Sequence, residues 1–439
     1  MSFPKYQARK DSCVEWIGEV PRHWAVQPLK RHARLLTEKT DRRDQPVALE
    51  NIESWTGRFL PTETEFEGDG VAFESGDVLF GKLRPYLAKT LVAESAGEAV
   101  GDFLVMRPAK TAESRFLAYQ LRSREVVSII DGSTFGSKMP RASWDFVGSM
   151  PAPLPPVGEQ VSIVAFLDRE TAKIDALVEE QRRLIELLKE KRQAVISQAV
   201  TKGLNPNVTM KDSGVDWLGA VPTHWGVGSL SRIAERVVVG IAEAATHAYA
   251  DEGTPILRST NVRAGRIVGE ILYVTDEFAD GRGSKLIKAG DLVTVRTGSA
   301  GVTAVVPPHL DGCQCFTMLI TSLAEGSNAD FYCYLLNSVS SQRYFSLEGW
   351  GTAQVNISVP ILKALPVTIP PLSEQQAIVG YLDAATERMD RLVAEAEAAM
   401  ALLGERRSAL ISAAVTGKID VRSTVPEVQR SSRQREQER

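Results

Sequence analysis

One acid-free run of the sequence, from Gly81 to Lys89, contains two lysines, one arginine and one tyrosine. Lysine and arginine can donate hydrogen bonds to guanine edges and to phosphates, and a glycine lets the backbone approach a ligand closely. A comparable run in the second half spans Arg296 to Gly301. Amide side chains, which suit adenine edges, follow at Gln354 and Asn356. These residue types on turns are typical of a DNA-binding surface.

The same reasoning gives candidate DNA-binding residues in both halves of the chain. In the first half they are Asn51, Lys82, Arg84, Tyr86, Lys89, Ser133, Lys138 and Arg141. In the second half they are Arg258, Asn261, Arg296, Thr297, Ser299, Gln354 and Asn356. The alternative for any one of them is an ordinary solvated loop residue, so the prediction applies mainly to the clusters.

No pattern in the sequence indicates catalysis or metal binding. The segment from Gly76 to Lys82 approximates a phosphate-binding loop, but Leu83 stands where a magnesium-binding Ser or Thr is needed. Cys313 and Cys315 have no histidine at the spacing of zinc ligands. His23 and His224 stand beside tryptophans, where packing is the simpler interpretation. We therefore predict no catalytic residue, metal site or cofactor in this chain.

Composition limits the class of protein. The 439 residues carry a net charge of −4 and are 44% hydrophobic, which is ordinary for a folded protein of more than one domain. No apolar run approaches the ~20 residues that span a bilayer, and no secretory signal is visible, so we expect a cytoplasmic protein without a membrane partner. Non-specific DNA binders are usually strongly basic. Any DNA-binding charge must therefore be local or come from a partner.

The sequence is a tandem duplication. The block from Asp11 to Trp24 recurs at Asp212 to Trp225, an offset of 201 residues. A Pro-Pro-x-x-Glu-Gln segment at 155–160 recurs at 370–375, an offset of 215. The stretch between the two blocks has diverged. A shared frame with two dissimilar inserts indicates one common task for the frame and two separate tasks for the inserts.

Each Glu-Gln pair opens a long amphipathic helix, in which apolar residues recur at three- and four-residue steps. We expect the two helices to pack on each other as a coiled coil, with independent surface helices or a homodimeric zipper as the alternatives. Gly203 and Gly417 are expected to end them. The predicted seam and partner-binding residues are Ile163, Leu167, Ile174, Leu177, Leu184, Leu188, Ile378, Leu382, Met389, Leu392, Leu403 and Leu410.

The duplicated blocks, the repeated Pro-Pro-x-x-Glu-Gln entries and the run from Gly351 to Ser358 resemble the specificity subunit of type I restriction–modification enzymes. The resemblance covers nearly the whole chain. It implies an α+β fold in which two mixed α/β target recognition domains are separated by two long antiparallel coiled-coil helices, as a pseudo-twofold repeat.

The resemblance also implies a non-catalytic DNA reader. Each recognition domain would bind one half of a bipartite asymmetric site in double-stranded DNA, and the helices would set the spacer. Two methylation subunits would dock on the frame and methylate adenine with S-adenosylmethionine. Restriction subunits would join the full complex, and the ATP and magnesium requirements would also lie in the partner subunits.

The expected segments follow from this resemblance. They are frame segments at 1–24 and 204–225, target recognition domains at 25–157 and 226–371, spacer helices at 158–203 and 372–418, and a disordered tail at 419–439.

Two other functions remain open at this point. A coiled-coil adaptor whose inserts bind proteins would show no sequence-specific retention on DNA. A self-sufficient nuclease would cleave DNA as the purified chain with a metal ion.

Overall fold

The computed structural model describes residues 3–42, 44–62, 69–134, 138–241, 248–280, 285–351 and 354–424. The chain divides into two compact units. Unit 1 comprises Met1–Gln181 and Glu397–Arg439, and unit 2 comprises Arg182–Ala396. Unit 1 is therefore built from two separate stretches of sequence, whereas unit 2 is continuous. The α+β class expected from the sequence is confirmed.

Unit 1 contains two four-stranded sheets and short helices. Its strands are β1 (Arg9–Asp11), β2 (Glu19–Pro21), β3 (Ala25–Pro28), β4 (Ala33–Leu36), β5 (Lys39–Thr40), β6 (Pro46–Val47), β7 (Gly70–Phe73), β8 (Val78–Gly81), β9 (Thr90–Val92), β10 (Gly97–Val100), β11 (Phe103–Pro108) and β12 (Pro151–Leu154). Its short helices are α1 (Ser114–Leu121), α2 (Arg124–Gly132) and α3 (Trp144–Val147). The sheets have the orders β4-β11-β8-β9, which is antiparallel throughout, and β5-β7-β10-β6. Buried side chains of α1 and α2 cover the first sheet at Val78, Phe80 and Leu104.

Unit 2 repeats this arrangement. Its strands are β13 (Met210–Asp212), β14 (Ala220–Pro222), β15 (Gly226–Ser229), β16 (Ala234–Val239), β17 (Tyr249–Ala250), β18 (Thr254–Leu257), β19 (Val262–Arg263), β20 (Arg266–Ile267), β21 (Leu272–Val274), β22 (Leu292–Thr294), β23 (Thr303–Val305), β24 (Gln314–Cys315), β25 (Leu319–Leu323) and β26 (Pro366–Ile369). Its short helices are α5 (Asp276–Asp280), α6 (Ala329–Leu336), α7 (Val339–Glu348) and α8 (Val359–Ala364). The antiparallel sheet β16-β25-β22-β23 corresponds to β4-β11-β8-β9 of unit 1. The second sheet has the order β17-β21-β18-β24.

Two long helices, α4 (Val157–Lys202) and α9 (Leu372–Val415), contribute to both units. Gly203 and Gly417 follow them with φ of 74° and 69°, a conformation that suits glycine at a helix end. In unit 1, Arg407 Nε donates to Asp175 Oδ1 at 3.1 Å. In unit 2, Arg192 forms the equivalent ion pair with Asp390. The helices therefore run antiparallel within each unit.

The stripe of buried and half-buried residues on each long helix follows a seven-residue repeat. It comprises Thr171, Ile174, Val178, Gln181, Ile185 and Leu188 in α4, and Thr386, Met389, Val393, Ala396, Met400 and Leu403 in α9. Among the predicted seam residues, Ile163, Leu167, Ile174, Leu188, Ile378, Leu382, Met389 and Leu410 are buried, and Leu403 is half-buried.

Three predicted seam residues, Leu177, Leu184 and Leu392, are exposed, so their assignment to the seam was wrong, whereas their partner-binding role stays a prediction. Leu177 lies three residues after the buried Ile174, but the stripe advances by four residues there, to Val178. The helices carry more leucines than the stripe can bury. Assigning seam positions to leucines, in preference to smaller or polar residues, therefore places some of them on the wrong face.

The expected tail boundary is also wrong. Val421 is fully buried among Tyr6, Trp24 and the end of α9. Asp420 N donates to Pro4 O at 2.7 Å, and the Arg422 guanidinium lies over the Tyr6 ring. Ile419 and Val421 thus belong to the hydrophobic core of unit 1, Asp420 and Arg422 contact it, and residues 425–439 lie outside the described part of the chain.

None of the described helices is long and apolar enough to cross a membrane. Cys13, Cys313, Cys315 and Cys333 are free thiols, and burial raises the pKa of the last three to about 12. Among the described residues, no group of three or more His, Cys, Asp or Glu side chains could hold a metal ion.

Candidate nucleic-acid interface

Each frame block is joined to its long helix by the glutamate of the Pro-Pro-x-x-Glu-Gln segment. In unit 1, Glu159 accepts hydrogen bonds from the Trp24 indole at 3.1 Å and from the Tyr6 hydroxyl at 2.5 Å, and it pairs with His23 at 2.7 Å. In unit 2, Glu374 makes the equivalent contacts with Trp225 at 3.0 Å and His224 at 2.7 Å. The repeated histidines are therefore structural, in agreement with the packing interpretation.

The following glutamine joins each recognition domain to the same helix. Gln160 Oε1 accepts from Glu113 N, the N-cap of α1, at 2.7 Å, and its amide donates to Thr111 O and Pro155 O. Gln375 Oε1 accepts from Asn328 N, the N-cap of α6, at 2.8 Å. The Glu-Gln pair is thus the joint between frame, helix and recognition domain, a role that the sequence reasoning missed although the repeat itself pointed to these residues.

In unit 1, two loops that were predicted separately meet beside the end of β8. Leu83 forms a β-bridge with Arg141, and Arg84 N donates to Pro140 O at 2.9 Å. This brings Lys82, Arg84 and Tyr86 close to Arg141, with Lys138 three residues earlier on the second loop. Arg84, Tyr86, Lys138 and Arg141 are exposed. The arrangement presents several cations and one aromatic ring to solvent.

The positive charge of this loop pair is partly neutralised by Asp102. Arg141 donates to both Asp102 carboxylate oxygens at 2.9–3.1 Å, and Lys82 Nζ lies 3.6 Å from the same group. The hydrogen bond to Asp102 raises the pKa of Arg141. Arg84 and Lys138 are left as the exposed cations of the pair that form no ion pair with any described acid.

Unit 2 brings the corresponding loops together in the same way. Thr297 forms a β-bridge with Asn356, and Thr297 Oγ1 donates to Asn356 Oδ1 at 2.7 Å. Arg296 O accepts from Ile357 N at 3.0 Å. Ser299 and Gln354 are exposed on the same two loops. Five of the seven residues predicted for the second half therefore share one surface.

The electrostatics of the two loop pairs differ. Leu104 pairs with β8 and Leu319 pairs with β22, so these two residues occupy equivalent places in the two units. The residue two positions earlier is Asp102 in unit 1 and Thr317 in unit 2. Unit 2 therefore lacks the acid that neutralises the cations in unit 1. Within the described part of the chain, the Arg296 guanidinium has no ion pair, and its buried Nε has no hydrogen-bond partner. Arg296 is half-buried, so the structure leaves its charge uncompensated among the described residues.

Asn51 and Asn261 were predicted to contact DNA, but the structure places both inside tight turns. Asn51 Oδ1 accepts from Ala48 N at 2.8 Å, and its amide donates to Leu60 O at 3.0 Å. Asn261 Oδ1 accepts from Arg258 N at 3.0 Å, and its amide donates to Val268 O and Glu270 O. Both side chains are buried with their hydrogen-bonding groups occupied, so they shape the backbone and do not contact a base.

Three other predicted residues also bind the protein's own backbone. Lys89 Nζ donates to Leu49 O at 2.7 Å, and Ser133 Oγ donates to Ile130 O at the end of α2. Arg258 makes a long contact of 3.4 Å to Glu270 O, and its Nε is buried without a partner among the described residues. Lys89 and Ser133 thus have local structural roles, and the structure does not bring Arg258 into the loop pair.

A family model supports the sequence resemblance. Residues 242–397 match the type I restriction modification DNA specificity domain. The chain is 23% identical over 359 residues to the type I restriction enzyme MjaVIII specificity subunit of Methanocaldococcus jannaschii, covering 80% of this chain and 77% of that one. It is 23% identical over 437 residues to the EcoKI specificity subunit of Escherichia coli, covering 92% of this chain and 90% of that one.

The fold has a solved counterpart. A chain from a structural study of complex assembly and conformational transition in the type I R-M system superposes with a TM-score of 0.71 at 19% identity. The superposition covers 90% of this chain and 98% of the other. Residues 242–397 therefore match the type I restriction modification DNA specificity domain, and the chain as a whole is similar to type I specificity subunits, as its sequence indicated.

Proposed function

We propose that this protein is the non-catalytic DNA specificity subunit of a type I restriction–modification complex. The observation that carries the proposal is the duplicated loop pair. Leu83 with Arg141 in unit 1 and Thr297 with Asn356 in unit 2 form equivalent bridges just beyond the ends of the corresponding strands β8 and β22. The surrounding side chains differ in charge and hydrogen-bonding type. Two equivalent surfaces with different side chains fit two half-sites of different sequence.

The long helices are proposed to set the spacer between the half-sites. At about 1.5 Å per residue, the 46 residues of α4 extend about 69 Å, roughly two turns of B-DNA at about 34 Å each. The antiparallel pairing seen in each unit fixes the register of one helix against the other. Helix length is then the quantity that determines the number of unread base pairs.

The helices are also proposed to dock two methylation subunits. Leu177 and Leu187 of α4 are exposed, and so are Leu392 and Leu402, their counterparts 215 residues later in α9. Two equivalent apolar stripes fit two copies of one partner. The proposal also includes adenine methylation with S-adenosylmethionine, ATP and magnesium chemistry, restriction subunits and a cytoplasmic location. All catalysis is assigned to the partner subunits.

The test is methylome sequencing in a methylation-free host that expresses a methylation subunit from the same source, with and without this chain. A bipartite asymmetric methyladenine motif that appears only with the chain is the expected result. A soluble complex of the two proteins with no motif would contradict the proposal and favour a protein-binding adaptor.

The spacer role has its own test. Deleting one matched heptad from each helix, residues 179–185 and 394–400, is expected to shorten the unread spacer and leave both half-sites unchanged. A control variant with the heptad deleted from only one helix breaks the register and is expected to lose activity. An unchanged spacer in the doubly shortened variant would contradict the role of the helices.

A further inference from the structure

A large aromatic side chain stands exposed beside the loop pair of unit 2. Trp350 is 58% exposed, and Leu347, three residues earlier at the end of α7, is 71% exposed. The backbone nevertheless holds Trp350 in place, since its N donates to Asn356 O at 3.2 Å and its O accepts from Asn356 N at 3.0 Å. Folding therefore positions this indole without burying it.

The turn that carries Trp350 is tightly packed. A Cβ added at Gly349 would lie 2.4 Å from the Val355 side chain and 2.5 Å from Phe345 O. Gly349 N donates to Phe345 O at 2.9 Å and so closes the end of α7. The indole is thus fixed at its base by close backbone contacts, which lowers the entropy that a ligand contact would have to overcome.

The neighbours of Trp350 are hydrogen-bonding groups and an uncompensated cation. Thr297 Oγ1 donates a hydrogen bond to Asn356 Oδ1, and the Asn356 amide hydrogens have no acceptor among the described residues. Arg296 lies on the adjoining strand end, without an acid partner in the described part of the chain. One aromatic ring among donors and a cation fits nucleic acid, where the cation meets phosphate and the ring meets a base.

We propose that Trp350, with Leu347 beside it, is inserted at an unstacked base step in the half-site read by unit 2, where the indole stacks on one base. This inference rests on the proposed function and adds a specificity-determining residue to it. Apolar wedges of this kind unstack one step, and easily unstacked steps are preferred at the insertion point. Trp350 would thereby select sequence through the deformability of the step as well as through contact. The corresponding residue of unit 1, Phe135, lies outside the described residues, so the inference concerns unit 2 alone.

The experiment uses the full chain in complex with its methylation subunits, on duplexes that carry the motif found by methylome sequencing. 2-Aminopurine replaces adenine, one position at a time, in both half-sites. Besides the target adenines that the methylation subunits flip out of the duplex, one further step in a single half-site is expected to show a rise in fluorescence with the wild-type complex. Trp350→Ala is expected to abolish that rise and to weaken cognate binding about tenfold to a hundredfold, the range produced by loss of one base–aromatic stack.

Three further variants identify the cause. Trp350→Phe is expected to keep the fluorescence rise, because a smaller ring still stacks. Val339→Ala, at the opposite end of α7 and 53% exposed, is the matched control and is expected to bind like wild type. The salt dependence of binding is expected to stay the same in Trp350→Ala and to become shallower in Arg296→Gln, because only the arginine displaces counterions.

Wild-type affinity and fluorescence in Trp350→Ala would overturn the inference and leave the proposed function intact. Loss of the methylation subunits from the Trp350→Ala complex would also overturn it, since the patch would then bind protein. If the wild-type complex methylates no bipartite motif, that result would contradict both the inference and the proposed function.

Discussion

At the scale of single residues, the two frame joints show how one contact differs between duplicated sites. Glu159 has a side chain 6% exposed and three partners, whereas Glu374 is 40% exposed and has two. The difference arises because Tyr6 contributes its hydroxyl in unit 1 and Asn207 stands at the equivalent position in unit 2. The hydrogen bonds of Glu159 offset the free-energy cost of burying its carboxylate. Removing Glu159 should therefore destabilise the protein more than removing Glu374.

Glu159→Ala is therefore expected to destabilise unit 1 by about 2–4 kcal/mol, because the Trp24 indole N–H and the Tyr6 hydroxyl are left without acceptors. Glu374→Ala is expected to cost about 1 kcal/mol, since water can replace the more exposed carboxylate. Native-state hydrogen exchange on peptides from each unit measures both losses. Equal losses in the two variants would contradict the importance of burial.

The residue scale is also where the sequence was least informative. Asn51 and Asn261 occur at equivalent places in both recognition domains, and that pattern fits a shared DNA contact as well as a shared turn. The choice depends on burial and on carbonyls several residues away, Leu60 O and Val268 O, which only the folded chain brings into reach. In contrast, the meeting of Thr297 with Asn356 supports the predicted clusters, because residues 59 apart in sequence share one surface. Their contact with DNA stays a prediction.

At the scale of elements, the long helices were predictable in extent but only partly in register. Proline before each start and glycine after each end mark the limits, because proline suits the first turn and glycine accepts positive φ. The seam could not be read from leucine positions alone. It includes Thr171 and Gln181, whose side chains do not look apolar in a sequence, while Leu177 and Leu184 face solvent.

Two substitutions three residues apart test that register. Ile174→Ala, at a position 5% exposed within the core of unit 1, is expected to cost about 2–5 kcal/mol through the cavity it leaves. Leu177→Ala, at a position 46% exposed, is expected to cost less than about 1 kcal/mol. Differential scanning calorimetry of the two variants and the wild type gives the comparison. A larger loss for Leu177→Ala would show that the seam runs along the other face.

At the scale of the whole molecule, the duplication was visible in the sequence, but the composition of unit 1 was not. The repeat order suggests that each copy folds as a consecutive piece, whereas unit 2, although continuous, begins inside the long helix of the first copy and stops before the long helix of the second copy ends. Unit 1 instead receives the end of α9, with Val421 packed among Tyr6 and Trp24. Gly417 approaches Pro21 and Trp24, as Gly203 approaches Trp225 in unit 2. The same contact thus joins segments about 400 residues apart in unit 1 and segments about 20 residues apart in unit 2. No local sequence pattern encodes the long-range pairing in unit 1.

This difference in connectivity predicts a unit-specific response to a change near residue 421. Val421→Asp places a carboxylate in a fully buried apolar site and is expected to destabilise unit 1 by about 3 kcal/mol or more, because the buried charge loses its hydration. Ser423→Asp, at an exposed position two residues later, is the matched control and is expected to change stability by no more than about 0.5 kcal/mol. Hydrogen exchange should rise in peptides from Tyr6 to Trp24 and at the end of α9 in the Val421→Asp variant, while peptides from β16 to β25 keep their protection. Equal deprotection of both units would show that they unfold together, and that the closing contact at Val421 supports the entire protein rather than unit 1.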